Sequence, residues 1–337
     1  MGDSAVEVET EAGPLLLPSW DRVIAPVLQR DRIWEPGETR FLRRTLLPGQ
    51  TFVDVGAHVG YFTVLASKRV GAAGRVFAVE PEARNLELLR LNLIRNACTN
   101  VVVLPYAAAA APGPAVLELD EENSGRHRLR PLGETGTRVE CVRLDDVIPV
   151  PPDVVKIDAQ GYDHEVLEGL ERSLAANPDV VVVAELSLSE LAVRGIDPAT
   201  VLEGYAARGL AISTLDDRGR LHRSSAEEVL RGCKDGRFPS DFAIVLDHPP
   251  AGSGDFPRRV GGLEMRETPD GLRVHDPGRD RFHLLNETAA VVFDLCTGVN
   301  SVAAIVEHVQ AAYELEAPPT TEVEQCLAHL RAERLVA

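Results

Sequence analysis

The residues with the most chemical potential lie in Thr51-Phe-Val-Asp54-Val-Gly56-Ala-His58-Val-Gly60-Tyr61. Residues 51–55 read as a buried strand, an apolar run bounded by turn residues. Residues 60–70 read as a helix. Gly56 and Gly60, in the turn between, allow a backbone to approach a ligand that a Cβ would obstruct. The helix start supplies unpaired N–H groups. About twenty residues on, the next strand ends in Val79-Glu80-Pro81, and a carboxylate there is placed to accept hydrogen bonds from ribose hydroxyls. A dinucleotide fold wants G-x-G-x-x-G, whose middle glycine meets the pyrophosphate. His58 stands at that position, so the pattern is G-x-x-x-G. Asp54 stands two residues before the first glycine.

Strands and helices alternate around this turn. Strands are expected at 51–55, 75–79, 101–104, 154–157, 180–183, 210–213 and 242–246, and helices at 36–47, 60–70 and 82–96, after 154–157 with Val166, Leu167, Leu170 and Leu174 on one stripe, and from Pro198. Asp197 caps the last, with Pro198 at its first position. Near-continuous apolar strands separated by helices predict an α/β protein with a parallel sheet covered on both faces. Residues 1–33 carry weak signals and read as a tail with a short helix around 20–28. Residues 112–150 read as a hairpin-like insertion of the sort that forms sites at strand C-termini.

The run His248-Pro-Pro-Ala-Gly-Ser-Gly-Asp255 is a linker by composition, dividing a domain at 1–247 from one at 256–337. The second reads as three short strands, at 262–266, 272–274 and 281–285, followed by three helices. Asn286 and Ser301 cap the first two, and Thr321-x-x-Glu324 reads as a capping box for the third.

Composition narrows the function further. Of 337 residues, 45% are hydrophobic and 26% charged, which is ordinary globular usage. The longest apolar run, 101–111, is too short to span a bilayer, and no secretory signal is visible. A cytoplasmic protein is expected. A formal net charge of -17 repels phosphate backbones and anionic lipid, so neither nucleic acid nor membrane is expected as a partner. The cysteines 98, 141, 233, 296 and 326 are odd in number and widely spaced, with no metal-ligand spacing. No metal is expected.

Four motifs in order extend the turn: Asp54-Val-Gly-Ala-His-Val-Gly-Tyr, Val79-Glu-Pro, Arg143-Leu-Asp-Asp146, and Val155-Lys-Ile-Asp-Ala-Gln-Gly-Tyr-Asp-His-Glu-Val-Leu-Glu-Gly169. The first resembles motif I of class I S-adenosylmethionine-dependent methyltransferases. Together they resemble the FkbM-type family over about 35–247. The resemblance implies a Rossmann-like, seven-stranded sheet and methyl transfer from S-adenosylmethionine, usually to oxygen. Asp54, Gly56, His58 and Gly60 would line the methionine and ribose side, with Tyr61 and Pro81 beside them. Glu80 would hold the ribose, and Ala107 would lie near adenine. Asp158 ends the fourth strand, where methyl acceptors are usually held, and Glu185 ends the fifth. Gln160 stands where the family often has Glu, which puts a carboxylate base there in doubt. His127 and His164 are the alternative candidates for a base, needed only when the acceptor is a hydroxyl or a protonated amine. Each is also an ordinary surface or packing residue by type.

Phe282-His-Leu-Leu-Asn-Glu-Thr-Ala-Ala290, Asp294-Leu-Cys-Thr-Gly298 and Val302-Ala-Ala-Ile-Val306 resemble the PqqD-like family, a winged-helix-type recognition element for leader peptides of ribosomally made, modified peptides. The resemblance implies a leader peptide added as a strand beside Arg281, Phe282, His283, Leu284 and Leu285, against the third helix near Leu327 and Arg331. That helix mixes Glu322, Glu324 and Glu333 with Arg331 and Arg334, the wrong balance for DNA. The whole reads as a precursor-peptide methyltransferase. The alternative is an O-methyltransferase of a sugar or polyketide-type small molecule, its C-terminal domain an assembly module. Either leaves room for a homodimer.

Overall fold

The N-terminus departs first from the sequence pattern. β1 (Ala5–Glu9) and β2 (Pro14–Pro18) pair as an antiparallel hairpin where a tail is expected. Leu15 and Leu17 point inward and are fully buried. The intervening Leu16 exchanges backbone hydrogen bonds with the Asn92 side chain at 2.7 and 3.0 Å. Alternation over so few residues is a faint local signal, and a distant asparagine completes it. α1 (Ile24–Asp31) and α2 (Pro36–Thr45) follow.

The computed structural model describes residues 5–248, 257–268, 271–298, 300–313 and 315–337. The chain divides into two compact units, Met1–Pro249 and Pro250–Ala337. Of the linker, 249–255 lie outside the described residues.

In the first unit the expected alternation appears as β3 (Thr51–Val55), α3 (Tyr61–Val70), β4 (Arg75–Val79), α4 (Ala83–Arg95) and β5 (Val101–Leu104). The insertion is a four-stranded sheet of β6 (Ala107–Ala108), β7 (Gly113–Glu118), β8 (Arg128–Arg130) and β9 (Thr137–Val142), in the order β6-β9-β7-β8. After α5 (Leu144–Val147) and β10 (Val154–Ile157), the expected single helix is two, α6 (Asp163–Glu168) and α7 (Glu171–Ala176). The break falls at Gly169, where a Cβ would meet the Ala109 carbonyl oxygen at 2.5 Å. Then come β11 (Val181–Ser187), α8 (Leu188–Val193), α9 (Pro198–Ala207), β12 (Ala211–Leu215), β13 (Leu221–Ser224), α10 (Ala226–Lys234) and β14 (Asp241–Asp247).

The main sheet has eight strands rather than seven, in the order β13-β12-β14-β11-β10-β3-β4-β5. It is mixed rather than parallel: β14 runs antiparallel between β11 and β12, and β13 runs antiparallel to β12. Apolar strand runs carry burial but not direction, so periodicity alone could not distinguish these cases. The chain leaves β3 toward β4 and β5, then returns to β10 and β11 on its other side. The carboxyl ends of β3 and β10 therefore flank the point where strand order reverses, where such sheets bind ligands. Val155, Ile157, Val166, Leu167 and Val182 belong to the core beneath.

The second unit has a three-stranded antiparallel sheet, β15 (Glu264–Thr268), β16 (Gly271–Asp276) and β17 (Arg281–Leu285), with β16 central. α11 (Glu287–Leu295), α12 (Val302–Ala312) and α13 (Thr320–Ala332) pack on it around Val292, Phe293, Ile305, Val323 and Leu330. Asn286 and Ser301 cap α11 and α12 as read. The capping box at Thr321 does not form. α13 starts two residues earlier, with Pro319 in the cap position, so Thr321 is already inside the helix.

Candidate active site

At the reversal point, Val55 and Ile157 are paired neighbours, and the Asp158 N–H donates to the Val55 carbonyl at 3.0 Å. Gly56 then turns with φ +75°, and a Cβ on it would collide with the Asp158 carbonyl. A Cβ on Gly60, φ +95°, would meet Leu89 Cδ1 at 2.5 Å. Both glycines thus serve close approach of the chain to itself, a reason the sequence could not separate from approach to a ligand. Asp54 and Gly60 do not line the cavity. Asp54 is buried behind it, where it accepts from the Thr63 hydroxyl at 2.5 Å and is pushed up by burial to about 6.

The turn opens into a cavity of about 330 Å³. Gly56, His58, Tyr61, Glu80, Pro81, Ala107, His127, Asp158, Gln160 and Glu185 are all in its wall. Glu80 is buried, and burial pushes its carboxyl up to about 7. Its Oε2 accepts from the His58 N–H at 2.8 Å, and its Oε1 from the Glu82 N–H at 2.9 Å. Asn85 Nδ2 lies 3.4 Å from that Oε1 and 3.3 Å from the Ser124 carbonyl. Asn85 therefore ties the insertion to the end of β4, a link that helical periodicity does not reveal.

His127 lines the cavity, but the geometry does not suit it as a base through Nε2. Its Nδ1 accepts from the Asp120 N–H at 3.1 Å, and burial lowers its proton affinity, so the neutral ring carries its proton on Nε2. It is a donor there. His164 is outside the cavity. It lies on α6, with Nε2 3.9 Å from Glu165, and burial lowers its pKa also.

Asp158 is held from two sides: Gln160 Nε2 donates to Oδ1 at 2.8 Å, and Lys156 Nζ lies 3.4 Å from Oδ2. Lys156 is also 3.6 Å from Glu35 and 3.5 Å from Glu38, and its ammonium sits 4.6 Å from the centre of the Phe62 ring. Burial alone would lower its pKa, but the carboxylates, Glu38 foremost, hold it well above the ordinary value. Burial raises Glu185 well above the carboxylate range, with Asp158 and Asp163 adding repulsion. Glu35, Asp158, Glu185, Glu190 and Asp241 make this end of the wall acidic against Lys156 and Arg126. Lys156 stands within the fourth motif, where the sequence reading gave it no role, and Glu35 and Glu38, which arrive at the cap and in the first turn of α2, lie outside the four motifs and were missed.

In the second unit, Arg281 to Leu285 line a groove together with His329, Glu333 and Leu335. Phe282 and Leu284 are 65% and 61% exposed on the open edge strand β17. Leu285 also reaches the core, Leu327 lies wholly within it, and Arg331 does not reach the groove. His329 on α13 and Glu333 at its C-cap, four residues apart, face the groove.

A Gly-turn and a ribose-type acid at the reversal point of a Rossmann-like sheet define a class I methyltransferase. Residues 54–194 match the methyltransferase FkbM domain, and residues 273–336 match PqqD, the coenzyme PQQ synthesis protein D family. The chain thus carries a methyltransferase FkbM domain followed by a C-terminal PqqD domain. It is 27% identical over 177 residues to the hexuronic acid methyltransferase AglP of Haloferax volcanii, covering 51% of this chain and 68% of that protein. It is 31% identical over 169 residues to a probable cobalt-precorrin-6B C(15)-methyltransferase (decarboxylating) of Sulfolobus acidocaldarius, covering 50% and 73%. A crystal structure of methyltransferase FkbM from Methylobacillus flagellatus aligns at TM-score 0.38 and 17% identity, over 58% of this chain but only 43% of that one.

S-adenosylmethionine is the cofactor of this fold, and the wall suits it. The cavity admits a nucleoside, and the Glu80 carboxylate retains acceptor capacity beyond its present hydrogen bonds. Among the described residues, no helix is long and apolar enough to cross a membrane.

Proposed function

We propose that the chain methylates a hydroxyl of a ribosomally made precursor peptide, whose leader docks on the PqqD domain. The observation that carries the peptide reading is β17: an edge strand paired with β16 on one side and, among the described residues, with no strand on the other, presenting Phe282 and Leu284 outward beside the His329–Glu333 groove. An extended leader can pair with its free N–H and C=O groups while alternate side chains enter the groove. A linker of about eight residues reaches roughly 28 Å when extended. Tethering of this kind raises the effective concentration of the core segment into the millimolar range.

S-adenosylmethionine supplies an activated methyl group on sulfonium. The residues of this chain then have to hold and orient. Glu80 would bind the ribose hydroxyls, and the turn at Gly56 would border the methionine end. Asp158, fixed by Gln160 and Lys156, would accept a hydrogen bond from the acceptor hydroxyl, orient its lone pair for in-line attack and take its proton as the methyl group passes to oxygen, leaving the thioether S-adenosylhomocysteine. Such positioning contributes up to about 7–11 kcal/mol in favourable cases.

The test is mass spectrometry of a candidate precursor peptide incubated with the protein and S-adenosylmethionine. A methyl-sized gain that disappears when the leader is removed supports the proposal. A gain independent of the leader counts against it. The small-molecule alternative is supported by the relative named for hexuronic acid methylation. Methylation of a uronic-acid sugar with no peptide turnover would favour it.

A further inference from the structure

Asp21, Ser124 and His58 come from three distant stretches of chain and form one hydrogen-bonded series at the cavity wall. Asp21 Oδ1 accepts from the N–H groups of Val23, Ile24 and Ala25 at 2.9, 2.6 and 3.1 Å, which fixes the carboxylate at the start of α1. Asp21 Oδ2 accepts from the Ser124 N–H at 2.8 Å and from the Ser124 hydroxyl. His58 Nε2 lies 2.7 Å from the Ser124 Oγ. Ser124 and Asp21 are both buried.

The directions of these bonds follow from counting protons. Burial alone would raise the Asp21 pKa, but the bonds from Ser124 and the backbone hold it below the usual range. An ionised carboxylate only accepts, so the hydroxyl proton of Ser124 is committed to Asp21. Ser124 Oγ can then only accept from His58, and Nε2 must be the ring nitrogen carrying the proton. Burial lowers His58 to about 4, so the ring is neutral and Nδ1 is a bare acceptor. Nδ1 has no partner among the described residues, and His58 lines the cavity. The neighbouring His127 is held in the same Nε2–H tautomer, but there it is the Nδ1 lone pair that is occupied and Nε2–H that is free.

We propose that Asp21 and Ser124 are positioning residues that hold His58 with Nδ1 as the hydrogen-bond acceptor for a ribose hydroxyl of the bound nucleoside. The ribose is favoured over the acceptor substrate by location. The His58 N–H is bonded to Glu80, and Ser124 is joined to Glu80 through Asn85. The insertion therefore completes the nucleoside side of the pocket. The inference rests on the methyltransferase reading above and extends it to residues outside the four motifs.

The test uses the full chain. Two-bond proton–nitrogen correlation spectra should show wild-type His58 as the Nε2–H tautomer alone. Ser124→Ala should give a tautomer mixture, and Ser124→Thr should restore the single form. A purely structural serine would not move this signal. Calorimetry with S-adenosylhomocysteine should show affinity falling roughly three- to tenfold in Ser124→Ala and in Asp21→Asn, the size of one neutral hydrogen bond. One of the 2′-deoxy and 3′-deoxy analogues should bind wild type and Ser124→Ala equally. An Nδ1–H tautomer in wild type, or equal losses for the natural ligand and both deoxy analogues, overturns the proposal. Wild type that binds no S-adenosylhomocysteine instead overturns the methyltransferase reading itself.

Discussion

The backbone N–H of His58 donates to the Glu80 carboxylate at 2.8 Å, so the turn after one strand is pinned by the acid that ends the next. This bond makes the glycine turn and the acid at the end of the next strand a single unit. It also places Glu80 where its charge state matters, since burial holds it at about 7 instead of the ordinary 4.5.

Ribose hydroxyls donate best to the ionised carboxylate. Affinity for S-adenosylhomocysteine should therefore rise with pH up to about 7 and level off above it. Glu80→Gln should remove that dependence and weaken binding roughly ten- to hundredfold, the scale of a hydrogen bond to a charged group. Calorimetry across neutral pH checks both. Affinity independent of pH in wild type would contradict the assignment.

Stability without ligand should move the other way. Glu80 binds its proton more tightly folded than unfolded, so its contribution is fully present below 4.5 and is lost as pH rises through about 7. Glu80→Gln lacks that loss. The variant should gain stability relative to wild type between these limits, by at most about 1.4 kcal/mol per pH unit. Denaturant midpoints of the pair at several pH values give the difference directly.

Lys156 is the cation among Glu35, Glu38 and Asp158. Lys156→Met keeps the apolar stem and removes the charge, leaving carboxylates uncompensated. The expected cost is about 3–5 kcal/mol at neutral pH. It should shrink in acid, because burial already raises Glu35 and Glu38 toward protonation. Thermal unfolding in mildly acidic and mildly alkaline buffer tests this, and a cost that grows in acid would refute it.

Gly56→Ala should destabilise more than Gly71→Ala. Both glycines have positive φ, +75° and +64°, and share that strain. At Gly71 nothing lies within 4 Å of an added Cβ, whereas at Gly56 it meets the Asp158 backbone. With φ +64° and ψ -173°, Gly71 sits in a region essentially reserved for glycine, so the open site should itself cost about 1–3 kcal/mol, and the crowded one a further ~1–3 kcal/mol for the clash. Urea titrations of the two variants measure the gap.

Replacing Phe282 and Leu284 together by Ser should weaken leader binding while leaving S-adenosylhomocysteine affinity unchanged. Burying even one such side chain contributes about 1.5–3 kcal/mol, so the loss should be at least tenfold. Fluorescence anisotropy of a labelled leader checks the first effect and calorimetry the second.

Local pattern was enough for the parts whose partners are near in sequence. β3, the Gly-turn and α3 are contiguous, and their apolar run, glycine spacing and helix start can be read without a neighbour. The Asn286 and Ser301 caps are equally local, each accepting from an N–H three residues on. The N-terminal hairpin, the antiparallel β14 and the extra strand β13 were not legible in this way. Their signals are short or directionless, and pairing with distant segments completes them.

Sequence alone determined that this chain has a glycine turn after a buried strand, an acid about twenty residues beyond it and a second, differently patterned domain, because each is written in adjacent residue types. Tertiary structure decided which side chains share the pocket. It brought Asp21, Glu35 and Ser124 to His58 and Lys156, left His164 outside, and turned His127 into a donor. Those outcomes depend on through-space contacts between segments tens of residues apart, and burial and proton direction follow from such contacts, not from spacing along the chain.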